Sequence, residues 1–220
     1  MNKNERFISK NAPFILAIDG EAASGKGTLS KKIAENYNFF YCPTSILYRK
    51  LAKKVLEENL TKLDEILSCA LTLNDFEEDE SLFTEEISRK TSEIASIKEV
   101  REVLNFDQKE ILKIHKRILM EGRDIGTVIA PHADIKLYIT ANIEKRAERR
   151  FKDQVLKNPS LRLEEIKNDL IDRDNRDKSR KNAPLSIAKD AIIIDSSNYE
   201  IEGFYREAIR LIMEKCEREK

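Results

Sequence analysis

The chain of 220 residues has no tryptophan, two histidines, three cysteines, five prolines and six glycines. Each scarcity excludes something. Cys42, Cys69 and Cys216 are odd in number and no two form a C-x-x-C pair, so neither a disulfide framework nor a zinc site is expected. His115 and His132 lie far apart and suggest no metal cluster. No apolar run approaches the roughly 20 residues of a membrane span, and the N-terminus lacks the apolar core of a signal peptide. Lys plus Arg number 40 and Asp plus Glu number 40, so net charge argues for neither nucleic acid nor a membrane surface. The expectation is a cytoplasmic protein.

What is present is 40% apolar and 36% charged residues, the balance of a globular protein with a charged, helix-rich surface. The length suits one compact domain with an insertion or two. One stretch organises the rest: Gly20-Glu21-Ala22-Ala23-Ser24-Gly25-Lys26-Gly27-Thr28. It follows the apolar run Phe14 to Asp19 and precedes an amphipathic run with Leu29, Ile33 and Ala34 on one face. Strand, glycine-rich loop and helix in that order, with G-x-x-x-x-G-K spacing, fit a phosphate-binding P-loop. Gly27 stands where Ser or Thr is usual, and Thr28 follows it. Glycines let successive N–H groups turn toward one phosphate chain, and the helix N-terminus adds partial positive charge. Lys26 is a mobile cation for the β- and γ-phosphates. Thr28 offers a hydroxyl to phosphate or to phosphate-bound Mg²⁺.

Residues 1–12 read as polar and loose. Phe39 to Cys42 forms a second strand stopped by Pro43, and Thr44-Ser45 caps a helix through Leu56. After a helical period at 63–67, Asn74 to Glu80 reads as an acidic, solvated connection. Helices follow over 84–97 and 100–115, then strands at 118–120 and 135–140. The polar segment 144–182 carries nine Arg and Lys positions of interest and is broken by Pro159 into two helices. A fifth strand at 191–195 and a helix close the chain. Short apolar strands alternating with helices predict a parallel sheet covered on both faces, with ligands at the carboxyl ends of the strands. The P-loop, Cys42-Pro43-Thr44, Gly122-Arg123-Asp124 and Asp195-Ser196 converge there.

A P-loop alone permits a switch GTPase, an ATP-driven motor or a kinase of small molecules. Arg49, Arg101, Arg123, Arg173, Arg176 and Arg180 lie beside turns or in the polar segment, outside the apolar strands. Transfer between two phosphate groups needs cations on both and more where charge shifts in the transition state, and the arginine fork grips phosphate oxygens bidentately. A guanine-reading N-K-x-D motif is absent. A kinase of another acceptor, a different monophosphate or shikimate, stays open on this evidence, as does a nucleotide-dependent switch.

More specific words follow: Ile18-Asp19-Gly20 with the P-loop, Tyr48-Arg49, Ser92, Val100-Arg101, Gly122-Arg123-Asp124-Ile125-Gly126-Thr127-Val128, Arg146-Ala147, Arg149-Arg150, Arg173-Asp174-Asn175-Arg176-Asp177, Arg180 and Ala183-Pro184-Leu185. From about residue 14 to 210 the sequence resembles the bacterial cytidylate kinases, in the nucleoside monophosphate kinase group of P-loop NTPases. The resemblance implies an α/β P-loop NTPase fold, a five-stranded parallel sheet flanked by helices. Its core would be 13–60, 91–150 and 183–220, with a short monophosphate-binding insert near 61–90 and a helical lid near 151–182. It implies ATP and Mg²⁺ as cofactors, CMP and dCMP as acceptors, and a monomer without nucleic-acid or membrane partners. Gly20 to Thr28 would hold the ATP phosphates, the Mg²⁺ resting mainly on phosphate oxygens with Thr28 nearby. Thr44, Arg49 and Arg123 would hold the acceptor phosphate. Ser92, Arg101 and Asp124 would read the cytosine edge. Arg173 and Asp177 would approach sugar and phosphates, and Arg176 and Arg180 would close over the site, Arg180 also near the base. Lys26, Arg123, Arg173, Arg176 and Arg180 would carry the catalytic charge. Three features depart from the family pattern: Pro43-Thr44-Ser45 replaces Asp-Ser-Gly, Ala23 stands where glycine is frequent, and the first insert is short.

Overall fold

A computed structural model describes residues 1–73, 75–156 and 159–218. Five parallel strands form one sheet in the order β2-β3-β1-β4-β5: β1 Phe14–Gly20, β2 Phe40–Pro43, β3 Arg117–Gly122, β4 Ile135–Thr140 and β5 Ile192–Asp195. This is the P-loop kinase architecture expected. The period-2 alternation of β1 explains its two covered faces. Leu16 and Ile18 pack with Leu29 and Ile33 of α2 (Lys26–Tyr37) and with Phe204, Ala208 and Ile212 of α9 (Ile201–Arg218). Ala17, between them, faces Ile118, Met120, Ile125 and Ile129 on the other side.

A second apolar cluster joins α3 (Ser45–Glu57), α4 (Leu63–Ala70), α5 (Glu85–Ile94) and α6 (Lys98–Ile114) through Leu47, Leu51, Ile66, Ile87, Val100 and Leu104. A third, small one sets Ile166 and Leu170 of α8 (Leu163–Ser179) on Ala22 of the P-loop and Ala147 of α7 (Ile143–Gln154). The polar segment is thus two helices, as the proline requires, and α8 is anchored by two fully buried side chains, a firmer seat than its composition suggests.

Several local expectations are corrected. Residues 1–12 are not loose: Asn2 and Glu5 form a capping box that starts helix α1 (Lys3–Ile8), and Phe7 is fully buried. Arg117 ties this segment down, donating to the carbonyls of Arg6, Phe7, Ala12 and Tyr37 from above the Phe39 ring. Thr44 precedes α3 but its side chain does not cap it; the hydroxyl donates to the Glu121 carbonyl at 2.9 Å instead, because β2 runs beside β3 there. The acidic segment is solvated as expected, with Asp75 and Glu77 to Glu80 exposed, but lysines tether it. Lys31 binds Glu78, Lys50 binds Asp75, and Lys53 stands 3.9 Å from Asp79. Asn74 of that segment, and Lys157 and Asn158 of the expected lid, lie outside the described residues. A single π-helical turn, Ile125–Ile129, follows β3 where no element was expected.

Candidate active site

At the carboxyl ends of the strands lies a cleft of about 1400 Å³. Ala22 to Leu29 form its floor, and Arg49, Glu121, Arg123, Arg149, Arg150 and Arg173 stand around it. Gly25 is the N-cap of α2 with φ +84° and no side chain to satisfy the first N–H groups of the helix, so those donors face the cleft. Ala23 also takes a left-handed φ of +57°, which accounts for the family's preference for glycine at this position.

The electrostatics of the cleft are unusual for an apolar fold. Lys26 is buried, and burial first, then the Arg123 charge, pushes its ammonium down to about 7. Its nearest counter-charge is Glu121, at 3.5 Å, and it donates to the Glu21 carbonyl at 3.3 Å. Burial followed by the Arg123 charge pushes Arg173 down to about 9. Burial followed by the Arg150 and Arg123 charges pushes Arg49 down to about 10. Arg49 is held by Leu82 O at 2.7 Å and Ser88 Oγ at 3.1 Å, above the Phe83 ring. These cations repel one another in a buried setting without carboxylates enough to balance them. Such a group is built for an incoming polyanion.

Deeper, under α8, the charges are paired. Arg101 binds Asp124, and both are nearly inaccessible. Arg180 stands 3.9 Å from Asp124 and 3.7 Å from Asp177, and Arg123 Nε donates to Asp177 at 3.0 Å. Burial raises Asp177, but Arg123, Arg173 and Arg180 outweigh it and hold this carboxyl below its usual range. The buried hydroxyl of Ser92, on α5, has no hydrogen-bond partner among the described residues, nor do Arg101 Nε and Arg180 Nη2. Of the expected base-reading residues the structure joins Arg101 and Asp124, away from the open cleft wall. Arg176 does not line the main cleft: with Arg150, Arg173 and Glu85 it borders a neighbouring pocket of about 20 Å³ between α5 and α8.

The P-loop is fastened to α8 by residues whose roles the sequence leaves unread. Arg146 donates to the carbonyls of Ala141 and Ala22 at 2.9 and 3.2 Å and to Asp174 of α8 at 2.6 Å. Glu21 accepts from Thr140 and from Lys178 of α8. Its side chain thus faces the lid, while its carbonyl faces Lys26. Glu121 was also missed; a carboxylate ending an otherwise apolar strand was the available signal. It accepts from Tyr41 at 2.6 Å and faces Lys26. Arg149 braces Ser196, whose hydroxyl donates to the Ser24 carbonyl at 2.8 Å.

Comparison with known proteins agrees with this geometry. The family model described as Cytidylate kinase matches residues 16–214. A cytidylate kinase of Rickettsia bellii is 42% identical over 216 residues, covering 97% of this chain and 99% of its own. One of Bartonella bacilliformis is 42% identical over 204 residues, covering 91% and 94%. Among solved structures, a shikimate kinase from Acinetobacter baumannii superposes with a TM-score of 0.51 at 15% identity, over 96% of this chain and 97% of that one, a likeness of fold alone.

Proposed function

The chain belongs to the cytidylate kinase family, and from that premise we propose that it transfers the γ-phosphoryl group of ATP to CMP or dCMP, yielding ADP and the nucleoside diphosphate. The observation that carries this reading is the division of the site into two electrostatic halves. One is a cleft of under-balanced cations; the other is a neutralised, buried Arg101–Asp124 pair, to which α5 adds the buried Ser92 hydroxyl, unpartnered among the described residues.

The first half suits phosphates. The N–H groups of Gly20 to Thr28 and Lys26 hold the triphosphate, while Arg49 and Arg123 hold the acceptor phosphate, with the buried Thr44 beside them. Arg173 spans the two, and Arg176 and Arg180 complete the positive lining when α8 closes. The acceptor oxygen is already an anion, so no general base is required; alignment and charge neutralisation supply the rate. Mg²⁺ neutralises phosphate oxygens when bound. Thr28, on the cleft floor, is the hydroxyl placed to join its ligands, and phosphates and water provide the rest, as this ion prefers.

The second half suits cytosine. The Asp124 carboxylate accepts from the 4-amino group, while Ser92 and Arg101 donate to N3 and O2. Uracil reverses two of these polarities. Asp177 faces the sugar. The protein acts as a cytoplasmic monomer; among the described residues no helix is long and apolar enough to cross a membrane. A coupled assay of ADP release with a panel of monophosphates tests the reading. CMP and dCMP should be used well and UMP about a hundredfold less efficiently, since each buried mismatch costs about 1–3 kcal/mol. Asp124→Ala should lose more on CMP than on UMP. A wild-type CMP:UMP ratio near one would remove the cytosine-reading role.

A further inference from the structure

Asp19 is a buried carboxylate that no step above uses. It is the penultimate residue of β1, immediately before the P-loop, and lies in register with Gly122 of β3, the residue preceding Arg123. Its Oδ1 accepts from the Ile125 N–H at 2.8 Å and its Oδ2 from the Gly126 N–H at 2.7 Å. Burial first raises its pKa, to about 6, against the lowering effect of those two N–H groups; Asp124 raises it further and Arg123 lowers it. So one carboxylate grips the π-helical turn directly after Arg123 and Asp124, the two acceptor-side residues, from the strand that carries the donor loop.

The grip is close. A Cβ on Gly126 would lie 3.4 Å from Asp19 Oδ2 and 3.2 Å from Lys136 Cδ. Lys136 has little room to yield: it is buried, and its Nζ is held by Pro131 O at 2.6 Å and Asp190 Oδ1 at 2.9 Å. Both carboxylate oxygens are needed, because each serves a different N–H. An amide in that place keeps one acceptor and turns an NH₂ toward the other N–H.

We infer that Asp19 is a positioning residue for the acceptor half of the site: it fixes the turn from which Arg123 and Asp124 project, and so sets affinity for the monophosphate and the choice of its base. The inference rests on the cytidylate kinase reading above. Donor binding should depend on it far less, since Gly20 to Thr28 have their own ties through Arg146 and Ser196.

The test is steady-state kinetics on the full chain, with CMP, UMP and ATP varied in turn, for wild type, Asp19→Asn and Gly126→Ala. The second variant disturbs the same grip from the other side. Both should raise KM for CMP about tenfold or more, the effect of losing one hydrogen bond to a charged acceptor, and narrow the CMP:UMP ratio. KM for ATP should stay within about threefold. An Asp19→Asn enzyme with wild-type KM and ratio overturns the inference. So does one whose kcat, KM for ATP and KM for CMP all deteriorate together with a lowered melting temperature, as a purely structural residue would produce. If Asp19→Asn does not fold, Gly126→Ala decides, and wild-type acceptor kinetics in that variant overturn the inference. A wild type that fails to prefer CMP counts against the parent reading alone; a preference kept intact in both variants counts against Asp19 alone.

Discussion

Lys26→Met should inactivate the enzyme and stabilise the protein. The ammonium is buried and its pKa falls from 10.5 to about 7. At about 1.36 kcal/mol per unit, holding this cation in the free enzyme costs about 5 kcal/mol. Methionine fills a similar volume without charge. Part of the gain is lost because Glu121, 3.5 Å away, then loses a cationic neighbour and keeps its hydrogen bond from Tyr41. A net gain of about 1–3 kcal/mol remains, a few degrees or more in melting temperature. The pH dependence gives a second reading. From pH 7 to 10.5 the unfolded lysine holds a proton that the folded one has shed, so wild-type stability rises with pH across that window. The variant lacks this rise, and its advantage is greatest below pH 7. Turnover moves the other way: losing one preorganised charge on the transferring group costs about 3–4 kcal/mol, a few hundredfold in kcat. Thermal melts at several pH values and ADP release measure the two effects. A folded variant that keeps more than about a tenth of wild-type kcat, or that melts lower than wild type at neutral pH, would refute the reasoning.

Three further outcomes follow from the same structure. Arg117→Ala should destabilise by about 2–4 kcal/mol in a denaturant titration with unchanged KM values, because it frees the carbonyls of four residues far from the cleft. Ala23→Gly should stabilise by about 1 kcal/mol in the same titration by relieving a left-handed alanine; a loss would mean that its apolar contact near Leu170 outweighs the strain. In the free enzyme trypsin should cut first within 151–182, and a bisubstrate analogue joining adenosine and cytidine should protect it. Leu170→Ala, which removes a fully buried lid anchor, should speed the cut in the free enzyme, and equal rates for wild type with and without analogue would argue against closure.

What could be read from the residues alone followed from local rules. The β1–P-loop–α2 unit is legible because strand, glycine loop and helix each need a different residue pattern in a short span. The parallel sheet is legible because its strands are near-continuous apolar runs. Helix α1 was not, since a lone Phe7 gives no period; only its Asn2–Glu5 box marked it. The straps from Lys31, Lys50 and Lys53 to the acidic segment could not be read, because charge runs look alike whether solvated or pinned by lysines many residues away. Nor could the π-helical turn, which Asp19 holds at Ile125 and Gly126 from more than a hundred residues away in the chain. The named arginines were identifiable as a set. Which of them carry carboxylate partners was not, because pairs such as Arg101–Asp124 and Arg123–Asp177 join residues 23 and 54 apart.

That distribution of partners is where the chemistry lies. Cytosine is uncharged, so a cation that reads it must be neutralised by the protein before the base arrives, or its burial would oppose binding. On the proposed reading Arg101 satisfies this through Asp124. Phosphates bring their own charge, so cations that hold them must be left unbalanced, or each would need to break a pair before binding. On the proposed reading Lys26, Arg49 and Arg173 satisfy that, and all three are pushed down by burial and by neighbouring positive charge. Arg180, between Asp124 and Asp177, stands on the boundary, and Arg123 is lent to Asp177 of the lid helix. On that reading the stability surrendered at Lys26, Arg49 and Arg173 would be recovered when phosphate oxygens enter the cleft, which would tie the strength of nucleotide binding to the same residues that lower the barrier to transfer.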